Sequence, residues 1–102
     1  MIYVKVHSTE NGDMLAMCDS SLIDKVISEG DVEINIKDYS DFYKGQLLSE
    51  AGALSLIKRE AIISANIVGE ESVKVCLKKG VIEKGNVKKV GKVPYASAFR
   101  VK

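Results

Sequence analysis

Alternating apolar and polar positions predict a hairpin at the start of the chain. Apolar residues alternate with more polar ones over residues 2–6, which is the period-two pattern of a strand with one buried face. Asn11-Gly12 follows, and this dipeptide favours a tight turn because both residues tolerate a positive φ angle. We therefore expect a returning strand over residues 14–18.

Three segments carry helical spacing. Residues 22–27 follow the capping residues 19–21 and precede Gly30, which predicts a short helix. Residues 46–59 place Leu47, Ala51, Leu54 and Ile57 along one stripe, which predicts a second helix. Residues 70–79 predict a third, because acidic residues occupy its first turn and lysines its last, and both complement the helix dipole.

Further strands are predicted at four places, residues 32–36, 61–68, 87–90 and 95–101. The segment 61–68 is a continuous apolar run, typical of a buried strand, and residues 38–44 are expected to form an ordered loop or short turn. The pattern predicts one α+β (or α/β) domain over residues 1–102, with a mixed sheet of about five to six strands and about three helices covering it.

Composition narrows the class of protein. The chain has 102 residues, of which 46% are hydrophobic and 28% charged, as in ordinary globular domains, so disordered and disulfide-rich classes are excluded. It contains no apolar run of the roughly 18 residues that a membrane span needs, so we expect a cytoplasmic protein without a membrane partner. Two cysteines and one histidine are too few for a structural zinc site. We therefore predict no metal, no cofactor and reduced thiols.

Charge is divided unevenly along the chain. Residues 1–73 carry six basic and 13 acidic residues, a net charge of −7, whereas residues 74–102 carry nine basic residues and one acidic residue, a net charge of +8. Such asymmetry is typical of a chain with a polyanionic partner. The predicted nucleic-acid-binding residues are Lys78, Lys79, Lys84, Lys88, Lys89, Lys92 and Arg100.

Glycines and two aromatic residues are interspersed with these cations. Glycines allow close backbone approach to phosphates, and the rings of Tyr95 and Phe99 could stack on unpaired bases. The alternative is a solvated basic face, balanced by the acidic part of the chain or by a second subunit, with both rings in the core.

A second candidate site is the turn from the predicted strand 61–68 into the predicted helix 70–79. Helix starts expose backbone N–H groups that bind anions, but Glu70 and Glu71 would repel an anion here. A ligand bearing a hydroxyl or an amine suits the carboxylates better. We predict Asn66, Gly69 and Glu70 as ligand-binding residues, with a purely structural turn as the alternative.

No residue stands out as catalytic. His7 is expected on the outward face of the first strand, and nothing places a cysteine or serine beside it as a nucleophile would require. The spacing of the acidic residues singles out no magnesium site; these residues include Asp13, Asp19, Asp24, Asp38, Asp41 and Glu50. The enzyme question stays open, and the sequence favours a binding protein.

Several blocks resemble a known family. They include residues 42–45, the run 66–73 that begins Asn-Ile-Val-Gly-Glu, and Gly91-Lys92-Val93-Pro94. Together they are similar to the short archaeal proteins of domain-of-unknown-function family 424, over nearly the whole chain. In that family the late segment usually reads Gly-Val-Pro-His, whereas Tyr95 stands at the histidine position here. The resemblance implies an archaeal cytosolic setting and a translation-related role, but no established activity.

These observations converge on an RNA-associated, translation-related binding module that uses a basic carboxyl-terminal surface. The expected partners are RNA or ribosome-associated proteins, and the expected state is a monomer or a homodimer. Two alternatives remain open. One is a small-ligand binder or enzyme that uses the turn at residues 66–71, and the other is a homo-oligomeric structural adaptor.

Overall fold

The computed structural model describes residues 1–99, which form an α+β fold. The strands are β1 (Ile2–Thr9), β2 (Gly12–Asp19), β3 (Val26–Glu29), β4 (Val32–Asn35), β5 (Gln46–Leu48), β6 (Ile62–Val68), β7 (Val87–Val90) and β8 (Val93–Phe99). The α-helices are α1 (Ser40–Tyr43), α2 (Glu50–Leu56) and α3 (Glu70–Lys79). None of the helices in this part of the chain is long and apolar enough to cross a bilayer.

Six of the strands form one mixed sheet in the order β5-β1-β2-β6-β8-β7. β2 and β6 run parallel, and the other neighbouring strands are antiparallel. β3 and β4 form a separate two-stranded hairpin. The predicted mixed sheet covered by helices is therefore confirmed, and β7 forms one of its edges.

One face of the sheet, the helix face, is covered by α2 and α3. Its core joins Leu15, Met17 and Ile67 from the central strands to Ala53 of α2 and Cys76 of α3, all of them 2% exposed or less. Alternate residues of each strand reach this core because successive side chains of a strand point to opposite faces. The helices and the central strands thus share the main hydrophobic core.

The other face, the hairpin face, is covered by the β3–β4 hairpin and α1. A smaller cluster forms there around Cys18, Ile36 and Val68, and Ile27 and Ile34 of the hairpin pack against it. Tyr95 of β8 also packs on this cluster.

Several predicted elements are confirmed. The amino-terminal hairpin forms, but its two turn residues are Glu10 and Asn11, and Gly12 is already the first residue of β2. β6 occupies the predicted apolar run, and α3 has the predicted bounds. β7 matches its prediction, and residues 38–44 form a 3-10 turn followed by α1. The last strand begins two residues before its predicted start, and residues 100–101 of that prediction lie outside the described residues.

The predicted helix over residues 22–27 is wrong. Residues 20–22 form a 3-10 turn, and the chain then enters β3, which pairs with β4. Asp24 has a φ of +64°, which interrupts a helix, and the β-branched residues that follow suit a strand. Gly30, with a φ of +59°, serves the hairpin turn and not a helix end.

The predicted helix over residues 46–59 is correct only in its middle. Residues 46–48 pair with β1 as β5, and the helix begins after Ser49, whose Oγ accepts a hydrogen bond from the backbone N–H of Gly52 at 3.1 Å. This serine cap fixes the start of α2. The helix ends at Leu56, and Ile57 is extended and buried.

Candidate binding surfaces

A buried carboxylate holds the turn between β6 and α3. Asp19, at the end of β2, is 6% exposed. Its side chain accepts hydrogen bonds from the backbone N–H of Glu71 at 3.0 Å and from both the N–H and the Oγ of Ser72, at 2.8 and 2.7 Å. First-turn N–H groups have no partner within their own helix. Asp19 therefore caps α3 from a neighbouring strand.

Gly69 makes this cap possible. It stands at the N-cap position of α3 with a φ of +110°, and a Cβ at this position would overlap the carboxylate of Asp19. Its N–H donates to the carbonyl of Pro94 at 2.8 Å. The close approach of Asp19 and the backbone angle both require glycine here.

A cleft of about 330 Å³ opens beside this turn, at the carboxyl ends of the parallel strands β2 and β6. Its lining consists of Asp19, Ser21, Leu22, Gly69, Glu70, Glu71, Lys92, Val93 and Pro94. This volume is at the small end of the range for small-molecule sites. Gly69 and Glu70, two of the three predicted ligand-binding residues, lie in the cleft. The third, Asn66, lies on the sheet, where its side-chain oxygen accepts a hydrogen bond from Ser97 at 3.2 Å.

Some charges of the cleft are already engaged. Glu71 pairs with the amino-terminal ammonium of Met1 at 3.3 Å, and Asp19 is occupied by its cap hydrogen bonds. Glu70 and Lys92 are exposed, and neither forms an ion pair within residues 1–99. The cleft therefore presents one carboxylate and one ammonium group. Asp19 and Lys92 were not predicted as ligand-binding residues, because only the fold brings them to this turn.

Four of the predicted nucleic-acid-binding lysines lie along one margin of the molecule, which we call the basic edge. Lys84 lies in the 3-10 turn before β7, Lys88 and Lys89 lie in β7, and Lys92 lies in the turn after it. All four are exposed, and none has a carboxylate oxygen within 4.0 Å in the described part of the chain. Residues 84–92 include no acidic residue and extend over roughly 30 Å at most.

The lysines of the basic edge do not share one face of the sheet. Lys88 is paired with Tyr95, which packs on the hairpin face, whereas Lys89 is paired with Pro94, one position away. Because side chains alternate along a strand, Lys88 points to the hairpin face and Lys89 to the helix face. They lie on the same margin of the molecule because β7 is the edge strand, and both side chains are exposed there.

The remaining predicted cations lie elsewhere. Lys78 and Lys79 are in the last turn of α3. The carbonyl of Gly80, which follows this turn, accepts a hydrogen bond from Arg59, a residue that precedes β6. α3 is about 15 Å long, so these lysines are at the opposite end of the helix from the cleft and Lys92. The predicted contact at Arg100 lies outside the described residues.

The two aromatic residues of this segment differ in their surroundings. Tyr95 is partly buried against the hairpin-face cluster. This agrees with the alternative in which the lysine-rich segment is a solvated basic face and its aromatic rings lie in the core. Phe99 is 75% exposed at the end of β8, so that alternative is wrong for Phe99. Phe99 is the ring of the pair that remains available for stacking.

His7 has a local packing role in the structure. Its ring stacks on Phe42 with the centroids 4.7 Å apart and the planes inclined by 13°. Its Nε2 donates to the carbonyl oxygen of Phe42 at 3.0 Å. These contacts join α1 to β1. Within residues 1–99 no group of three or more histidine, cysteine, aspartate or glutamate side chains is arranged to hold a metal ion.

Comparison with known proteins places this fold in a family. No curated protein matches the chain. The crystal structure of an uncharacterized conserved protein from Methanopyrus kandleri is similar, with a TM-score of 0.79 and 23% identity, over 96% of this chain and 90% of that chain. At this identity the similarity shows a shared fold. The model of the family described as "Protein of unknown function (DUF424)" matches residues 6–101, and the chain therefore belongs to this family.

Proposed function

We propose that this protein is an RNA-associated, translation-related binding module that contacts RNA phosphates through the basic edge. One observation carries the proposal: four exposed lysines within nine residues have no acidic residue among them and no ion-pair partner within residues 1–99. Free ammonium groups of this kind supply the sequence-independent part of nucleic-acid binding.

The basic edge suits phosphate contact because of its position. β7 is the outer strand of the sheet, and the lysines of the basic edge are exposed, so a ligand can reach them from solvent. Each phosphate contact releases condensed counterions, and four contacts predict that log K falls with log[salt] with a slope of about −3 to −4. Salt dependence therefore measures how many lysines take part.

The test is a salt titration of RNA binding. Fluorescence anisotropy with a labelled RNA hairpin of about 20 nucleotides should show an affinity loss of roughly 100-fold between 50 and 200 mM KCl. The absence of binding even at the lowest salt would contradict the proposal.

A pair of charge-matched variants assigns the contact to the basic edge. K88E/K89E should abolish most of the binding and reduce the magnitude of the salt slope by about 2. The control K37E/K58E makes the same change of charge at two exposed lysines outside the basic edge and should bind RNA nearly as the unaltered protein does. If both double variants weaken binding equally, net charge and not the basic edge is responsible.

The cleft supports a second candidate function, the binding of a small ligand with an amine or hydroxyl group. What favours it is a concave site at the carboxyl ends of two parallel strands, where α/β proteins commonly bind ligands. Glu70 would pair with the amine of such a ligand and Lys92 with a carboxylate, so amino acids are the first probes. Thermal shift assays at about 10 mM amino acid should raise the melting temperature, and E70Q/K92Q should abolish the shift. No shift with any amino acid or polyol would contradict this candidate.

A further inference from the structure

We propose that two copies of this protein associate about a two-fold axis, with the β3–β4 hairpin of each copy lying against the basic edge of the other. The partner surface on the hairpin, which we call the acidic hairpin, comprises residues 26–35. It carries Glu29, Asp31 and Glu33, all exposed, and no basic residue. Its charge of −3 is opposite to the four positive charges of the basic edge.

The acidic hairpin and the basic edge are neighbours within one molecule. Both β3 and β4 contact β7. Nevertheless, no carboxylate of the hairpin comes within 4.0 Å of a lysine of the basic edge in the described part of the chain. Both sets of charges therefore remain available to a partner.

Exposed apolar side chains accompany these charges. Ile27 and Ile34 pack against the hairpin-face cluster, but Glu29 and Val32, on the same face nearer the tip, are exposed. Val32 is 50% exposed, and Val26 on the opposite face is 48% exposed. A partner seated here would bury apolar surface as well as pair charges, which is the composition expected of a protein interface.

The arrangement of the charges indicates a second copy as the partner. Rotation by 180° about an axis between two adjacent patches of opposite sign places each patch on its complement. Closed two-fold dimers have this self-complementary kind of interface. A dimer of this kind covers the lysines that we propose for RNA contact, so RNA and a second copy compete for the basic edge.

Salt dependence of the mass gives the first test. Light scattering coupled to size exclusion should show a dimer at about 50 mM KCl and a shift towards monomer at about 500 mM, because salt screens exposed charges. A monomer at low salt and at protein concentrations of about 100 μM would overturn the proposal.

Charge-swap complementation gives the decisive test. K88E/K89E and E29K/D31K should each be monomeric. The first reduces the charge of the basic edge from +4 to 0, and the second changes that of the acidic hairpin from −3 to +1, so neither variant alone keeps two patches of opposite sign. An equimolar mixture should form a heterodimer. One of its two contacts joins an unaltered basic edge to an unaltered acidic hairpin, and the other places the two introduced glutamates against the two introduced lysines. The control K37E/K58E should remain dimeric. Failure of the mixture to associate, or dimers of either double variant alone, would overturn the proposal.

The outcome is separable from that of the RNA proposal. E29K/D31K leaves the basic edge intact, so it should lose the dimer and still bind RNA. Unchanged dimerisation of K88E/K89E together with lost RNA binding would overturn the dimer alone. Loss of RNA binding in E29K/D31K would show that RNA binds the dimer. It would overturn the proposal that RNA and a second copy compete for the basic edge.

Discussion

At the scale of single residues, the turn between β6 and α3 depends on one close approach. Gly69 leaves room for the carboxylate of Asp19, which binds the first-turn N–H groups of Glu71 and Ser72. The sequence indicates a capping role for Asp19, but for the wrong helix. The helix that it caps begins 51 residues further along the chain, at Glu70, and only the parallel pairing of β2 with β6 brings the two together.

Replacing Gly69 tests this arrangement. G69A places a Cβ on the Asp19 carboxylate and forces alanine into a positive φ, so we expect a loss of about 2–3 kcal/mol in the free energy of unfolding, measured with urea. G85A is the matched control, because a Cβ at Gly85 meets nothing within 4 Å and should change stability little. Equal stability of both variants would contradict this account of the turn.

Asp24 makes stability depend on pH. The hydrogen bond from Ser40, together with that from Lys44 at 3.2 Å, lowers the pKa of the Asp24 carboxyl below its usual value. A lowered folded-state pKa contributes stability that is present above the unfolded value of about 4 and is lost as the pH falls through the folded value.

The variant D24N tests this pH dependence of stability. Asparagine tolerates the positive φ of +64° at this position, but its side chain does not titrate. The difference in urea midpoint between the unaltered protein and D24N should be largest near neutral pH and should shrink at acid pH. A difference that is constant down to about pH 2 would contradict the assignment.

At the scale of elements, the sheet separates the two thiols, because Cys18 lies in β2 and Cys76 lies in α3. Cys18 belongs to the hairpin-face cluster and Cys76 to the helix-face core, and both are free. Burial, with the charge of Asp19, raises the pKa of Cys18 to about 12, and burial raises the pKa of Cys76 to about 12. The sheet between them rules out a disulfide without unfolding.

Thiol reactivity should therefore report global unfolding. Because the thiolate is the reactive form, Ellman's reagent at pH 8 should leave both thiols of the native protein unmodified and should titrate two after denaturation. Prompt modification of either thiol in the native protein would show that its face of the sheet is open.

The sequence predicts an element correctly where its apolar pattern, its charges and its end residues all indicate the same structure. α3 combines an apolar stripe, complementary charges at both ends and a terminal Gly80, so its bounds are correct. Residues 22–27 carry helical spacing and β-branched residues together. There the packing of the hairpin against the cluster around Cys18 favours the strand over the helix. β5 is three residues long and depends on pairing with β1, which no local pattern shows.

At the scale of the whole molecule, charge asymmetry along the sequence becomes an acidic hairpin beside a basic edge. The sequence identifies the lysine-rich segment, but the division of its lysines between two faces depends on strand register. Lys92 belongs both to the basic edge and to the cleft, because the turn after β7 lies next to Gly69. The cleft itself could be predicted only in part, since Asn66 lies on the sheet and Asp19 comes from a distant strand.

The contact surface for RNA can be measured directly by lysine acylation and mass spectrometry, with dilute protein and saturating RNA at low salt. The account predicts that RNA protects Lys84, Lys88, Lys89 and Lys92, while the exposed Lys37 and Lys58 react as they do in the free protein. Protection centred on Lys37 and Lys58, or a pattern unchanged by RNA, would contradict the assignment of the basic edge.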